Sequence, residues 1–200
     1  MVLGLGDLLH ADNYAGMTAQ SKNILDVDGR WPRVLSTATQ IVIYTIDLAL
    51  NKHHSVLVRI LPGNHDEQSA IAVTLAVSMY HHNNPRVTVD DDAGPFFFWQ
   101  WGKVLIGATH GDKAKMKDLP LKMATANPEL WGKTRFRHIY TGHIHQQSGL
   151  ELNGVTVESL QAPCAPDVWH TKMGYGAGRS VQAITYHKDR GTILRNYENI

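Results

Sequence analysis

Four short stretches hold most of the residues able to do chemistry: Gly6-Asp7, GNHD at 63–66, HGD at 110–112 and GHIH at 142–145, with His10 and Asp12 just behind the first. Asp, Asn and His offer oxygen and nitrogen donors, the set that suits divalent transition ions rather than thiophilic ones. Glycine beside each polar residue lets the backbone turn sharply and come close to an ion. In TGHIH, at 141–145, His143 and His145 are two apart. In a strand that spacing turns both imidazoles to one face. Alone, such a pair reads better as two surface histidines in a turn. Four strand-like runs that all end this way make a shared site the better reading.

The elements that must position these residues follow from the hydrophobic pattern. Val2–Leu5 is a short apolar run that stops at Gly6-Asp7 and predicts a buried strand. The segment from His10 to Arg30 has no period and predicts a long loop. From Trp31 to Lys52 the residues Val34, Leu35, Ala38, Ile41, Val42, Ile46 and Leu50 keep one helical face, against the strand preference of IVIYTI. SVLVRILP at 55–62 reads as a strand buried on both faces. A helix over Glu67–His82 follows, with Asp66 as its N-cap. Strands are predicted at 86–89, 96–101, 103–108 and 138–141, with a helical segment over 114–126. The C-terminal part, with GLEL, VTVESL, SVQAITYH and TILRNY, reads as antiparallel strands. Strand–helix alternation followed by hairpins argues for mixed sheets covered by helices. Ligands in such α/β architectures gather beyond the carboxyl ends of strands.

Composition sets outer limits. A chain of 200 residues with 43% hydrophobic content suffices for one domain spanning 1–200. The net charge of +1 gives no sign of a strong polyanion binder, though a local basic groove remains compatible with it. One cysteine, Cys164, excludes an internal disulfide and a thiolate-rich zinc site, and fits a reducing, cytoplasmic setting. Twelve histidines suit a nitrogen and oxygen metal site. No run is long and apolar enough for a membrane span, and the N-terminus lacks the pattern of a signal peptide.

The ordered set GD, GNHD, H and GHxH resembles the calcineurin-like metallophosphoesterases, binuclear metal hydrolases of phosphate esters. The likeness runs from Gly6 to His145. GDLLHADN and the loop after it are also similar to phosphoesterases of tailed bacteriophages. The resemblance implies a four-layer α/β fold, two mixed β-sheets sandwiched by helices. It implies two divalent ions, Mn, Fe, Zn or Ni with Mn favoured. Asp7 would bridge them. Asn64, His110 and His143 would complete the second site, and His145 would belong to the first. His65 would stabilise the transition state or protonate the leaving oxygen, with Asp66 orienting it. The substrate would be a phosphate ester, including nucleic acid or a nucleotide.

One departure stands beside the agreement. The family opens with Asp-x-His on an earlier strand, and no such motif precedes Gly6. The first metal site is left with Asp7 and His145, so the second is better supported. The expectation is a shortened domain missing the first strand, either a piece of a longer active enzyme or a catalytically weak metal-binding remnant that acts as an interaction module.

Other features are weaker. Asp12 and His10 lie where a supporting or substrate-binding residue would fall, Asp12 reading equally as a loop residue capping its own backbone. Arg179, in the glycine-rich GYGAGRS at 174–180, is a candidate phosphate contact, though such a stretch is more often simply a flexible connection. His170 in the DVWH segment would be another residue within reach of the cleft. Lys113, Lys115, Lys117, Lys122, Lys133, Arg135 and Arg137 form a modest basic bias along which a phosphodiester backbone could lie, though a solvated helix face is the better reading. FFFWQW at 96–101 can stack bases but reads better as a packed strand. His53, His54, His81 and His82 fall at helix C-terminal ends, where a partial positive charge is favourable. GLGDLL lacks the third glycine of a dinucleotide fingerprint.

Overall fold

The computed structural model describes residues 1–18, 22, 24, 25, 27, 29–165 and 176–200. His170 and the first part of GYGAGRS lie outside the described residues. The chain divides into two compact units, Met1–Pro95 and Phe96–Ile200.

In the first unit a three-stranded sheet has the order β1-β2-β3, from β1 (Val2–Gly4), β2 (Val56–Ile60) and β3 (Val87–Asp90). Both pairings are parallel. Helices α1 (Trp31–Leu50) and α2 (Glu67–His81) supply the crossovers. Val56, Val58 and Ile60 alternate along β2 and pack against Ala38, Val42 and Ile46 of α1 and Ala70, Val73 and Val77 of α2. The four-residue spacing of the α1 trio explains why IVIYTI is helical. A continuous buried stripe outweighs a β-propensity that spans only about 1 kcal/mol.

The continuous run of β2 conceals a charge. Arg59 is fully buried and is held by the Asp90 carboxylate at 2.9 Å and the Gly94 carbonyl at 2.6 Å. A buried guanidinium persists only with such partners.

The second unit has a five-stranded mixed sheet of order β4-β5-β6-β8-β7. Its strands are β4 (Phe96–Trp101), β5 (Val104–Thr109), β6 (Phe136–Thr141), β7 (Ser148–Leu152) and β8 (Val155–Ser159). On one face Leu105, Ile139, Val155 and Val157 pack with Leu119 and Met123 of α3 (Leu119–Ala126). The hydrophobic pattern does not separate a further helix, α4 (Pro128–Lys133); its signal is Pro128 at the first helical position. The hairpin β9 (Ser180–His187) and β10 (Gly191–Asn199) forms its own two-stranded sheet. It meets the other face through Arg195, whose guanidinium donates to both Glu158 oxygens at 2.7 and 2.5 Å, and through the Tyr140–Tyr186 hydroxyl pair.

The α/β class, with several sheets flanked by helices, is thus what the chain adopts. The first sheet is wholly parallel, the second mixed, and the hairpin a third. Among the described residues no helix is long and apolar enough to cross a membrane.

Candidate metal centre

In the first unit, β1 and β2 run parallel with Gly4 opposite Ile60, so both strands end at the same edge. The Leu61 N–H donates to the Gly4 carbonyl at 2.9 Å and carries the pairing one residue further. The GD and GNHD turns therefore leave the sheet side by side. Gly6 and Asp7 both adopt positive φ, 85° and 53°. For a non-glycine residue this costs on the order of 1 kcal/mol or more and recurs at functional sites.

The two turns are locked together by their carboxylates. Asp7 Oδ1 accepts the His65 N–H at 2.9 Å. Asp66, fully buried, accepts three backbone N–H groups: Gly63 at 2.8 Å, Asp7 at 3.1 Å and Leu9 at 3.1 Å. Burial holds the Asp66 carboxyl above the usual carboxylate range; the bond from Gly63 N–H, then that from Leu9, opposes this, and the Asp7 charge adds to the rise. Gly63 is required by contact. A Cβ there would lie 2.0 Å from Asp7 Oδ1 and 2.3 Å from the Asp7 nitrogen.

Two expectations for this unit do not hold. Asp66 occupies the N-cap position of α2 but makes no side-chain cap bond. Asp12 supplies that cap from a distant loop, accepting the Ser69 and Gln68 N–H groups at 2.7 and 3.0 Å. Nor does the Asp66 carboxylate orient His65. The His65 Nδ1 is 3.2 Å from the His10 carbonyl oxygen, and the two rings stack at 5.3 Å and 12°. A carbonyl only accepts, so Nδ1 carries the proton and Nε2 is the nitrogen left for chemistry. Asn64 sits half-buried between Gly63 and His65.

In the second unit β5 and β6 are parallel neighbours with Thr109 opposite Thr141. Their ends bring HGD beside GHIH. The Gly142 N–H donates to the His110 carbonyl at 2.9 Å, and the Ser159 hydroxyl donates to the Gly142 carbonyl at 3.2 Å. His110 is 2% exposed, and its ring meets that of His143 edge-on at 5.0 Å and 70°. Gly111, at φ 113°, makes the turn beneath them.

The premise for His143 and His145 also changes. β6 stops at Thr141, and both histidines lie in the following turn with φ of 64° and 55°. They are presented by left-handed backbone, not by alternation along a strand. Arg179 stands at the base of the terminal hairpin, its carbonyl accepting the Ile200 N–H at 3.1 Å.

Asp7, His110 and His143 each offer one ligand atom of the kind that binds a divalent ion. A buried imidazole with a second ring turned edge-on fits an ion-binding pair better than it fits an apolar core. The donors are carboxylate oxygen and imidazole nitrogen without thiolate, which suits Mn, Fe, Zn or Ni.

No family model and no curated protein matches the chain. Solved structures do. One is a novel archaeal phosphodiesterase, 14% identical, covering 83% of this chain and 91% of that one, with a TM-score of 0.43. Another is a predicted phosphoesterase from Streptococcus pneumoniae, 14% identical, covering 81% and 91%, with a TM-score of 0.34. A third is Vps29 from Entamoeba histolytica complexed with zinc, 13% identical, covering 78% and 88%, with a TM-score of 0.41.

Proposed function

We propose that the chain is a metal-dependent phosphoesterase that acts on phosphodiesters, with Mn(II) as the favoured ion. The observation that carries this reading is the construction of the strand-end turns. Asp7 is pinned by His65 and Asp66, and His110 is paired with His143, each at the carboxyl end of a parallel strand. In this reading Asp7, Asn64, His110 and His143 hold one ion, and Asp7 with His145 contributes to a second. Bound divalent ions would acidify a water and neutralise charge on the phosphoryl oxygens.

The remaining work falls to the chain's own side chains. His65 is held with Nδ1–H toward the His10 carbonyl, so the imidazolium, protonated on both nitrogens, passes its Nε2 proton to the leaving oxygen. The stacked His10 ring limits rotation of His65 about χ2 and supports the same orientation. Asp66 acts through the backbone, holding the Asp7 and GNHD turns at a fixed spacing. Arg179 is assigned to a substrate phosphate oxygen.

The test is hydrolysis of bis(p-nitrophenyl) phosphate in Mn(II) by the wild type and His65→Ala. The expected result is turnover that falls by about 10²–10⁴ in the variant, the loss of one general acid. Equal rates in both proteins would remove His65 from the mechanism. A folded wild type that binds Mn(II) without turnover would instead mark a metal-binding module.

A further inference from the structure

Immediately after His110 the chain walls an open pocket of about 560 Å³, lined by Gly111, Lys113, Lys115, Lys117 and Lys122 together with Asp112 and Asp118. That volume lies within the roughly 300–1,000 Å³ of ligand sites, more than a single phosphate fills. Four ammonium groups and two carboxylates leave a charge of +2 on its walls (4 − 2). Of the carboxylates, Asp112 pairs with Lys113 at 3.0 Å, and Asp118 stands at the N-cap position of α3 without a side-chain cap bond. Among the described residues no carboxylate pairs with Lys115, Lys117 or Lys122. The Lys122 ammonium is set 5.5 Å over the half-buried Phe96 ring, which fixes one wall of the pocket by a cation–π contact.

From this we infer a second substrate-binding site: Lys115, Lys117 and Lys122 bind the backbone phosphates of a single-stranded nucleic acid that flank the phosphodiester at His110. The inference rests on the phosphoesterase reading for the identity of the neighbouring site. The residue types choose a strand over a lone anion. The pocket wall holds no arginine fork for bidentate capture of one phosphate. Exposed, separated ammonium groups suit a repeating charge, neutralised without base readout. Gly111 belongs both to the turn under His110 and to the pocket wall, so a strand in the pocket continues directly toward that histidine.

The experiment is fluorescence anisotropy of a fluorescein-labelled oligothymidylate in EDTA, where no turnover is needed. It compares the wild type, the triple variant Lys115→Gln/Lys117→Gln/Lys122→Gln, and a control triple Lys133→Gln/Lys188→Gln/Arg190→Gln. Circular dichroism verifies that each is folded. Three phosphate contacts predict a log–log salt slope near about −2, at about 0.7 per contact. The pocket triple should lose most of that slope and about tenfold in affinity at low salt, while the control keeps both. Equal losses in the two triples would mean general attraction to charge and overturn the site. Displacement of the oligonucleotide by a nucleoside triphosphate at equal molar concentration would overturn the strand assignment in favour of a nucleotide. Pocket-dependent binding beside an absence of hydrolysis would sink the enzyme reading and leave this site standing.

Discussion

Replacing Asp66 tests whether its carboxylate organises the two turns of the first unit. In Asp66→Asn one oxygen can stay with the Gly63 and Asp7 N–H groups, which share Oδ1. The new amide NH₂ then faces the buried Leu9 N–H, where Oδ2 had accepted. A donor meets a donor, and one buried N–H loses its partner. That loss costs about 1–3 kcal/mol. In Asp66→Ala all three N–H groups are orphaned, and simple addition gives about 3–9 kcal/mol. Such a loss approaches the whole stability of a domain, about 5–15 kcal/mol. The expected series in urea is therefore a lower midpoint for Asp66→Asn and no cooperative transition of the first unit for Asp66→Ala. If Asp66 instead oriented His65, both variants would keep the wild-type midpoint and lose turnover alone. Wild-type stability in Asp66→Asn would refute the organising role of the carboxylate.

Other outcomes follow from single contacts. Gly63→Ala must push Asp7 aside, with an overpacking cost of about 1–3 kcal/mol and a loss of Mn(II) affinity by calorimetry, whereas Gly132→Ala meets nothing within 4 Å and should be neutral or slightly stabilising. Asp90→Ala removes the carboxylate that meets the buried Arg59 guanidinium at 2.9 Å and should cost about 3 kcal/mol in denaturation, far more than breaking the exposed Lys133–Glu129 pair. Burial holds the His138 imidazole below its usual range, with Glu158 opposing and Arg195 adding to that shift, so the unfolded chain takes up the proton first. Stability should be full above about pH 7 and decline as pH falls through about 6.5, levelling below the folded value; His138→Gln should remove that limb from the denaturation midpoints.

Much of the scaffold is legible in the sequence because it rests on local patterns. The apolar runs at Val2, at SVLVRILP and at 103–108 each become a strand ending at a polar turn. The α1 helix is readable from Ala38, Val42 and Ile46 despite its β-branched run. The wiring of the turns is not readable, since it joins residues far apart in sequence. Asp12 caps α2 across 56 and 57 positions, and Asp66 reaches back 57 and 59 to Leu9 and Asp7. A local rule assigns the cap to Asp66 because Asp66 precedes the helix. The tertiary arrangement gives that task to Asp12 and leaves Asp66 for the neighbouring turn. The same local logic pairs His65 with its sequence neighbour, while its observed partner is a backbone carbonyl, which no side-chain pattern announces. In TGHIH the two-residue spacing suggests a strand. Gly142 is the contrary signal, and the left-handed His143 and His145 follow it.

In the proposed phosphoesterase, divalent metal and the strand-end residues act together. This is tested most directly by stripping the chain with EDTA and titrating Mn(II) back while following p-nitrophenolate release from bis(p-nitrophenyl) phosphate. The expected results are silence without metal, turnover that rises to saturation with Mn(II), and no recovery in His143→Ala. Saturating metal uptake by a folded wild type with no release of p-nitrophenolate would contradict the proposal.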